Sequence, residues 1–298
     1  MIHIHKAFPR PPKADARERA LANVFLAAIR AAADRTNVGD LVQALNSGEP
    51  DKAVSMIRWD VVQDELGAAL PKRYGTIYRA GAEQARKQLR QALRKDTIGY
   101  GFDYTSPDAV RWADARAGML ISEWGRMSRE ALRALIVRAF EDGIPPRKLA
   151  RLIIQSGLGL TERQALAVER RRAQLLADGI VEGQADRLVD KYSAQLLRQR
   201  AETIARTEII TAHTQGAQAA WTDAIDEGLL DRDTSRQVWI TDADERTCEV
   251  CAALDDVEAK LGEVFVDDPD LGPIYGPPAH PNCRCSVAMR PEAVSDRP

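Results

Sequence analysis

The sequence predicts a mainly α-helical body with a small C-terminal α+β module. Three observations lead to this fold class. Residues 1–228 are rich in helix-forming residues, and several stretches repeat apolar residues at helical spacing. After Gly228, short β-prone runs lie between Asp, Gly and Pro residues. All four cysteines of the chain lie between residues 248 and 285, within this second part.

The first part of the chain predicts three helices, at about 12–35, 51–69 and 72–95. The polar stretch RTNVGD, which contains Gly39, separates the first helix from the second. The stretch TIGYGFDYTSPDA (97–109) contains two glycines and Pro107, so it predicts a loop at a subdomain boundary.

The central part predicts four further helices. One apolar stripe at spacings of three and four residues indicates a helix over 128–142, and it consists of Leu132, Leu135, Ile136, Ala139 and Phe140. The stretch DGIPP (142–146) predicts a turn into a second helix, which GLGL (157–160) ends. Thr161 and Gln164 have the spacing of a capping box that opens a third helix. A long helix is expected over about 183–226.

The C-terminal part predicts three short strands, RQVWIT (236–241), EVFV (263–266) and SVAM (286–289). It also differs from the rest in charge. Residues 1–210 carry 35 Lys and Arg against 26 Asp and Glu, whereas residues 211–298 carry 7 against 18. A basic body therefore precedes an acidic module. An excess of nine positive charges over 210 residues is too small for a dedicated nucleic-acid-binding protein.

No apolar run approaches the ~18 residues that a membrane helix needs, and the charged, proline-rich first residues do not resemble a secretory signal. We therefore expect a cytoplasmic origin and no membrane partner. Thiols stay reduced in that compartment, so C-x-x-C spacing indicates metal binding or redox chemistry before structural disulfides.

The cysteines have the spacing of a metal site. Cys248-x-x-Cys251 is followed by His280-x-x-Cys283-x-Cys285, which provides five candidate ligands for the four positions of a tetrahedral ion. A module of about 60 residues buries too little apolar surface to be secure by packing alone, and small domains often recruit a metal. We predict a structural Zn²⁺ held by four of these five residues, because ~10–16 kcal/mol of zinc binding energy can hold such a module together.

Other interpretations of the cysteines stay open at this stage. Two disulfides would use all four cysteines, and a redox C-x-x-C pair is a further alternative. A catalytic zinc would need an open position and a nearby base, for which Asp244, Glu245 and Asp255 are candidates. The H-x-E and P-C-x-x-C pattern of nucleic-acid deaminases is not present.

The chain is accordingly divided into four parts. We expect an N-terminal helical region (1–100), a central helical domain (101–228), a small Cys/His metal-binding module (229–290) and a tail (291–298).

Four stretches together resemble a known family. IARTEIITAHTQGA, DADERTCEVCAALDD, GEVF and PPAHPNCRC occur in the order found in the phage head morphogenesis domain of Mu F-like minor head proteins. The resemblance is strong over about 200–290 and weaker from about 128. It places the family's Cys/His cluster on the five residues above and its Arg-Thr-Glu helix motif on Arg206, Thr207 and Glu208. Arg206 and Glu208 are predicted to join the helical body to the zinc module in an interdomain polar network, the alternative being solvent-exposed charges on an amphipathic helix.

Two positions depart from the family pattern. Asp256 stands where glycine is expected, and aspartate tolerates left-handed backbone geometry better than most residues. His213 stands where the family often has asparagine. We expect it to be a helix-face histidine with a local partner, the alternative being a further metal ligand.

The resemblance implies a minor capsid protein of a tailed phage or prophage. Such a protein acts in head morphogenesis at the portal vertex and in DNA packaging or ejection, and it is located in the virion head after synthesis in the bacterial host cytoplasm. The portal protein is the implied partner, with the major capsid or scaffold protein as further candidates and packaged double-stranded DNA as a weak, secondary contact. No enzymatic activity is expected. The alternative function is a zinc-dependent nuclease or other hydrolase acting on DNA.

Overall fold

The computed structural model describes residues 14–93, 107–242 and 244–291. Most of the predicted loop 97–109, the residues of the tail after 291 and the first thirteen residues lie outside this range. The helices are α1 (Ala14–Arg35), α2 (Val38–Asn46), α3 (Pro50–Ser55), α4 (Trp59–Leu93), α5 (Pro107–Glu141), α6 (Pro146–Leu152), α7 (Glu162–Ala177), α8 (Glu182–Asp226) and α9 (Glu249–Leu254). The strands are β1 (Arg236–Ile240), β2 (Glu258–Ala259), β3 (Val266–Asp268), β4 (Gly272–Ile274) and β5 (Ser286–Arg290). The predicted fold class, mainly helical with a small α+β part near the C-terminus, is confirmed.

The chain forms two compact units, each built from separate segments. Unit 1 contains the described residues of Met1–Arg19, Pro71–Asp114 and Thr203–Pro298. Unit 2 contains Ala20–Leu70 and Ala115–Glu202. Helices α1, α4, α5 and α8 therefore contribute residues to both units. The four-part division predicted from the sequence stays a prediction.

Unit 2 contains α6 and α7, together with most of α5 and the first part of α8. Leu132, Ile136 and Ala139 are buried on α5, as the apolar stripe predicts. A π-helical turn, Ile153–Gly157, follows α6 and precedes α7. The capping box of α7 is confirmed, because the hydroxyl of Thr161 accepts from the backbone N–H of Gln164 and the Gln164 side chain accepts from the N–H of Thr161.

The prediction of separate helices over 51–69 and 72–95 is wrong, because α4 continues through Pro71. Proline removes one backbone hydrogen bond from a helix interior. The flanking side chains of Leu70 and Tyr74 are fully buried, so tertiary packing on both sides of the proline outweighs this loss. The helix predicted at 128–142 is also longer than expected, since α5 begins at Pro107.

Unit 1 has a core shared by helices and strands. Tyr78, Ala82 and Leu89 of α4 lie in one buried cluster with Trp221 of α8 and Trp239 of β1. Helices α4 and α8 touch backbone to backbone. A Cβ atom at Gly81 would overlap the carbonyl oxygen of His213, and one at Gly216 would overlap that of Tyr78.

A three-stranded antiparallel sheet, in the order β2-β1-β5, covers one side of this core. Strands β1 and β5 match two of the three predicted strands. The third prediction, 263–266, is wrong: only Val266 belongs to β3, which pairs with β4 in a separate two-stranded ribbon. Phe265 is nevertheless buried, so its apolar character reflects packing against Trp239 rather than membership of a strand.

Within the described residues, no helix combines the length and the apolar character required to cross a membrane.

Candidate metal centre

Cys248 and Cys251 are brought together by the start of a helix. Cys248 is the N-cap of α9, and its sulfur accepts a hydrogen bond from the backbone N–H of Cys251 at 3.4 Å. The C-x-x-C spacing therefore forms one helical turn with both sulfurs on the same side. Cys251 is buried, whereas Cys248 is exposed.

The other three candidate ligands lie on a turn and the strand that follows it. The carbonyl of His280 accepts from the N–H of Cys283 at 3.2 Å, with Pro281 and Asn282 between them. Asn282 has a φ of 66°, which with proline before it is the pattern of a type II turn. Cys285 lies two residues after Cys283, directly before β5. Residues i and i+2 of an extended chain point to the same face, so Cys283 and Cys285 are both directed inward, where they are buried.

The structure brings all five predicted ligands into one cluster. The imidazole Nε2 of His280 lies 3.1 Å from the sulfur of Cys248 and 3.1 Å from that of Cys251. The sulfurs of Cys251 and Cys283 are 3.8 Å apart. Cys248, Cys251 and His280 form one group of closely spaced donor atoms, and Cys251, Cys283 and Cys285 form another. Cys251 belongs to both groups and is thus the centre of the cluster.

These residues fit a tetrahedral metal ion. Two sulfurs that each bind Zn²⁺ at ~2.3 Å with tetrahedral angles lie roughly 3.8 Å apart, which is the separation of Cys251 and Cys283. The other ring nitrogen of His280, Nδ1, lies 2.8 Å from the carbonyl oxygen of Pro281. A proton on Nδ1 donated to this carbonyl leaves Nε2 as the ligand atom, as in many zinc-bound histidines. All four cysteines are free thiols, with no disulfide between them.

The thiols perturb one another's ionisation. The pKa of Cys251 is raised by its hydrogen bonds to Cys283 and Cys285 and by burial, whereas the pKa of Cys283 is lowered by the hydrogen bonds that it accepts from Cys251 and Cys285. A negative charge on one sulfur of the cluster therefore disfavours the ionisation of the neighbouring thiols. A divalent cation removes this conflict, because it stabilises several thiolates together.

One buried donor beside the cluster also fits a thiolate. The indole Nε1 of Trp239 is buried and, among the described residues, has no hydrogen-bond acceptor of good geometry. Its side chain interacts with the sulfur of Cys285. A charged Cys285 sulfur would give this donor a stronger acceptor than a neutral thiol.

Charged residues form one wall of the site. The guanidinium of Arg284, between the two C-terminal cysteines, donates to Asp242 at 3.1 Å and to Asp244 at 2.7 Å. Asp244 also accepts from Arg246. These two arginines hold the pKa of Asp244 well below its usual range. Asp255 is engaged as well, because it accepts from the backbone N–H and the hydroxyl of Thr241.

Arg206 of α8 lies beside the metal-ligand turn. It donates to the side-chain oxygen of Asn282 at 3.0 Å and to Glu18 of α1 at 3.0 Å. The Thr207 hydroxyl accepts from the N–H of Asn282 at 3.3 Å. Glu208, the other predicted member of a polar network, is buried. Sequence reasoning missed Asn282, although the Pro-Asn pair between two ligands is a turn signal, and it missed Glu18, for which the sequence has no local signal.

The two positions that depart from the family pattern behave differently. Asp256 has a φ of 63°, which confirms the left-handed geometry expected there. His213 is buried and lies outside both groups of metal-ligand atoms. Its Nε2 is 3.2 Å from the side-chain oxygen of Gln84 on α4, a partner 129 positions away in the sequence.

The fold and the site define a helical protein with a small Cys/His centre of metal-ligand type. The family model of Phage Mu protein F like protein matches residues 131–288, and the chain belongs to this family. The match contains all five candidate ligands together with Arg206 and Glu208, and the resemblance found in the sequence is confirmed. It makes the chain a member of a phage head morphogenesis family. No curated protein and no solved structure shows a significant match to the chain.

Proposed function

We propose that this protein is a structural minor head protein of a tailed phage or prophage, which acts at the portal vertex during head assembly and DNA packaging or ejection. The observation that carries the proposal is membership of the Mu F-like family over residues 131–288. The same membership supports our proposal of a location in the virion and of the portal protein as partner, with major capsid or scaffold protein as further candidates.

The metal in this proposal is a structural Zn²⁺. Three of the five donor residues are buried, and a shell of sulfurs with one imidazole is typical of zinc sites that stabilise a fold. Zinc bound here neutralises the thiolates and joins the start of α9 to the turn before β5. Cys251, which lies in both donor groups, and His280, whose Nδ1 is already held, are the ligands best supported by the geometry.

Two of the three candidate bases, Asp244 and Asp255, favour this structural role over a hydrolase. A general base at a catalytic zinc needs a free carboxylate with a pKa near the working pH. Asp244 instead has a lowered pKa and is held by two arginines, and Asp255 is occupied by Thr241. Incubation of the pure protein with linear duplex DNA and Zn²⁺ or Mg²⁺ tests the alternative. Cleavage that is lost in a folded Asp244→Asn or Glu245→Gln variant would support the nuclease and contradict our proposal.

The portal assignment is tested by co-sedimentation of the purified chain with assembled portal rings, together with immunodetection in purified particles. We expect the chain to sediment with the rings and to be present in particles. A chain that is absent from particles and remains in the supernatant would overturn the proposal. The matched control is the isolated major capsid protein in place of the portal, which separates the two candidate partners.

We place the weak contact with packaged DNA on the second half of α4. Residues 71–93 carry six basic residues against one acidic residue, Glu83. Five of the basic side chains are exposed, and among the described residues they form no ion pair: Lys72, Arg73, Arg79, Lys87 and Arg90. With ~3.6 residues per turn, the cations at 72, 79, 87 and 90 lie along one face of the helix. Such a face suits phosphates without reading sequence.

The DNA contact is testable by fluorescence anisotropy with a labelled duplex over a range of salt concentrations. Replacing Lys72, Arg79, Lys87 and Arg90 with glutamine should lower the slope of log K against log salt by about 3–4, because each phosphate contact contributes ~0.9. The control replaces the same number of exposed arginines in unit 2, namely Arg147, Arg151, Arg163 and Arg171. Equal losses in both variants would mean that only net charge matters and would refute the α4 contact.

A further inference from the structure

Asn282 is the third residue of the turn that begins at His280 and ends at Cys283, both candidate metal ligands. Two residues of α8 form hydrogen bonds with it. The N–H of Asn282 donates to the hydroxyl of Thr207, and its side-chain oxygen accepts from Arg206. Its left-handed backbone, with a φ of 66°, is a conformation that only glycine, asparagine and aspartate adopt readily. The positions of His280 and Cys283 therefore depend on how α8 holds the residue between them.

Arg206 has a second partner on a different helix. Its guanidinium donates from Nε to Glu18, near the start of α1, at 3.0 Å, and its Nη2 is also 3.0 Å from that carboxylate. The Glu18 side chain is only 7 % exposed. A buried carboxylate is costly unless a cation compensates it. Arg206 therefore cannot turn toward Asn282 or away from it without affecting Glu18.

We propose that Arg206 and Asn282 are positioning residues of the metal centre and that they couple metal binding to the docking of the N-terminal end of α1 through Glu18. The proposal rests on the proposed zinc site. The bound ion holds His280 and Cys283, and hence the turn. The turn keeps the side-chain oxygen of Asn282 within hydrogen-bond distance of Arg206. In this position the Arg206 guanidinium compensates the negative charge of the buried Glu18 carboxylate.

The coupling acts in both directions. If metal binding favours the docked Glu18–Arg206 pair, the docked pair must favour metal binding by the same free energy. A change at Glu18, 262 residues before His280 in the sequence, should therefore weaken metal retention although Glu18 is not one of the candidate ligands. A purely structural role of Glu18 does not predict this.

The experiment measures the zinc dissociation constant of the full chain by competition with a chromogenic chelator. We expect Arg206→Gln, Glu18→Gln and Asn282→Gly each to weaken zinc binding by about tenfold, the lower range found when residues that orient metal ligands are replaced. Asn282→Gly keeps the left-handed backbone accessible and removes only the oxygen that Arg206 binds, so it tests the contact without straining the turn. Asn282→Asp keeps an acceptor and should bind zinc as the wild type does. Arg198→Gln, an exposed arginine on the same helix, is the matched control.

The double variant Glu18→Gln/Arg206→Gln distinguishes coupling from general damage. We expect it to bind zinc about as weakly as Arg206→Gln alone, because both changes interrupt one chain of contacts. Additive losses would refute the coupling, as would a Glu18→Gln variant with wild-type affinity. A wild-type chain that binds no zinc at all would overturn the proposed metal centre itself. Wild-type zinc binding with unaffected variants would overturn only the coupling.

Discussion

At the residue scale, Cys251 and His213 are the two side chains whose surroundings are most informative. Cys251 is buried at the start of α9 and belongs to both groups of donor atoms. His213 is buried where α8 meets α4, so it has lost the solvation that a charged imidazole needs.

Cys251→Ser should abolish tight zinc binding. A serine hydroxyl is a poor replacement for a thiolate, and this position contributes to both donor groups. We expect zinc affinity to fall by more than ~100-fold, beyond the loss typical of residues that only orient ligands, together with a lower melting temperature in native buffer. The zinc content of the purified protein, measured by mass spectrometry under native conditions, tests this. Val250→Ser, at an exposed position of the same C-x-x-C turn, should retain the metal.

His213 should make stability depend on pH below neutrality. Burial and the nearby charge of Arg17 lower the pKa of His213 to about 4, from 6.5 in the unfolded chain. The unfolded chain then binds the proton more tightly, so the stabilisation is complete above pH 6.5 and is lost as the pH falls toward 4. Between pH 7 and pH 5 the free energy of unfolding should fall by about 2 kcal/mol from this residue.

The measurement is urea denaturation of wild type and His213→Asn at both pH values. Asparagine does not titrate, so the variant should lack this part of the pH dependence even if it is less stable at pH 7. Identical pH dependence in the two proteins would contradict the assignment. Gln84 and Arg17 are unchanged in both proteins, which keeps the surroundings comparable.

At the scale of the elements, the contact between α4 and α8 depends on two glycines. Gly81 faces the carbonyl of His213, and Gly216 faces the carbonyl of Tyr78. Neither helix backbone could approach so closely with a side chain at these positions. The pair therefore sets the distance between the two helices that carry the core of unit 1.

Gly81→Ala should destabilise the protein by about 3 kcal/mol or more, because the methyl group meets backbone that can move only with its whole helix. Gly75→Ala provides the matched control on the same helix, since a Cβ at that position meets nothing within 4 Å. Alanine is a better helix former than glycine, so this variant should be more stable by up to ~1 kcal/mol. Thermal denaturation followed by circular dichroism compares the two. A similar effect of both substitutions would contradict the close approach.

At the scale of the whole molecule, elements that lie far apart in the sequence pack together in one core. Unit 1 takes its core from α4, from the start of α5, from α8 and from the strands of the Cys/His segment. The buried face of β1 and β5 therefore packs on side chains that are far away in the sequence. Metal binding alone does not replace these contacts.

We expect a fragment of residues 229–290 to remain loosely packed even with zinc. Trp239, Cys283 and Val287 share their core cluster with Tyr78, Leu89 and other residues outside the fragment. Fluorescence with an apolar dye should show exposed hydrophobic surface in the zinc-loaded fragment and little in the zinc-loaded full chain. A fragment that melts cooperatively and binds no dye would show that the metal suffices.

Much of the fold was predictable because local signals agree with it. The stripe through Leu132 and Ile136, the Thr161 capping box and the runs at β1 and β5 all correspond to elements of the structure. The continuation of α4 through Pro71 was not predictable, since the packing of Leu70 and Tyr74 overrides a local helix-breaking signal. For the site, the spacing of the cysteines and of His280 was sufficient to predict all five residues of the cluster. It could not reveal the contacts of Arg206 with Glu18, because the two lie 188 positions apart.

The segmented construction of unit 1 has a consequence for biosynthesis. Its central strand, β1, pairs with β5 only after Ser286–Arg290 has been synthesised, and the apolar faces of α4 emerge from the ribosome long before that. Unit 1 therefore cannot fold as a complete domain while the C-terminal part of the chain is still being translated. A polypeptide terminated before residue 283 lacks both β5 and the last two cysteines, so it can complete neither the three-stranded sheet nor the Cys/His cluster.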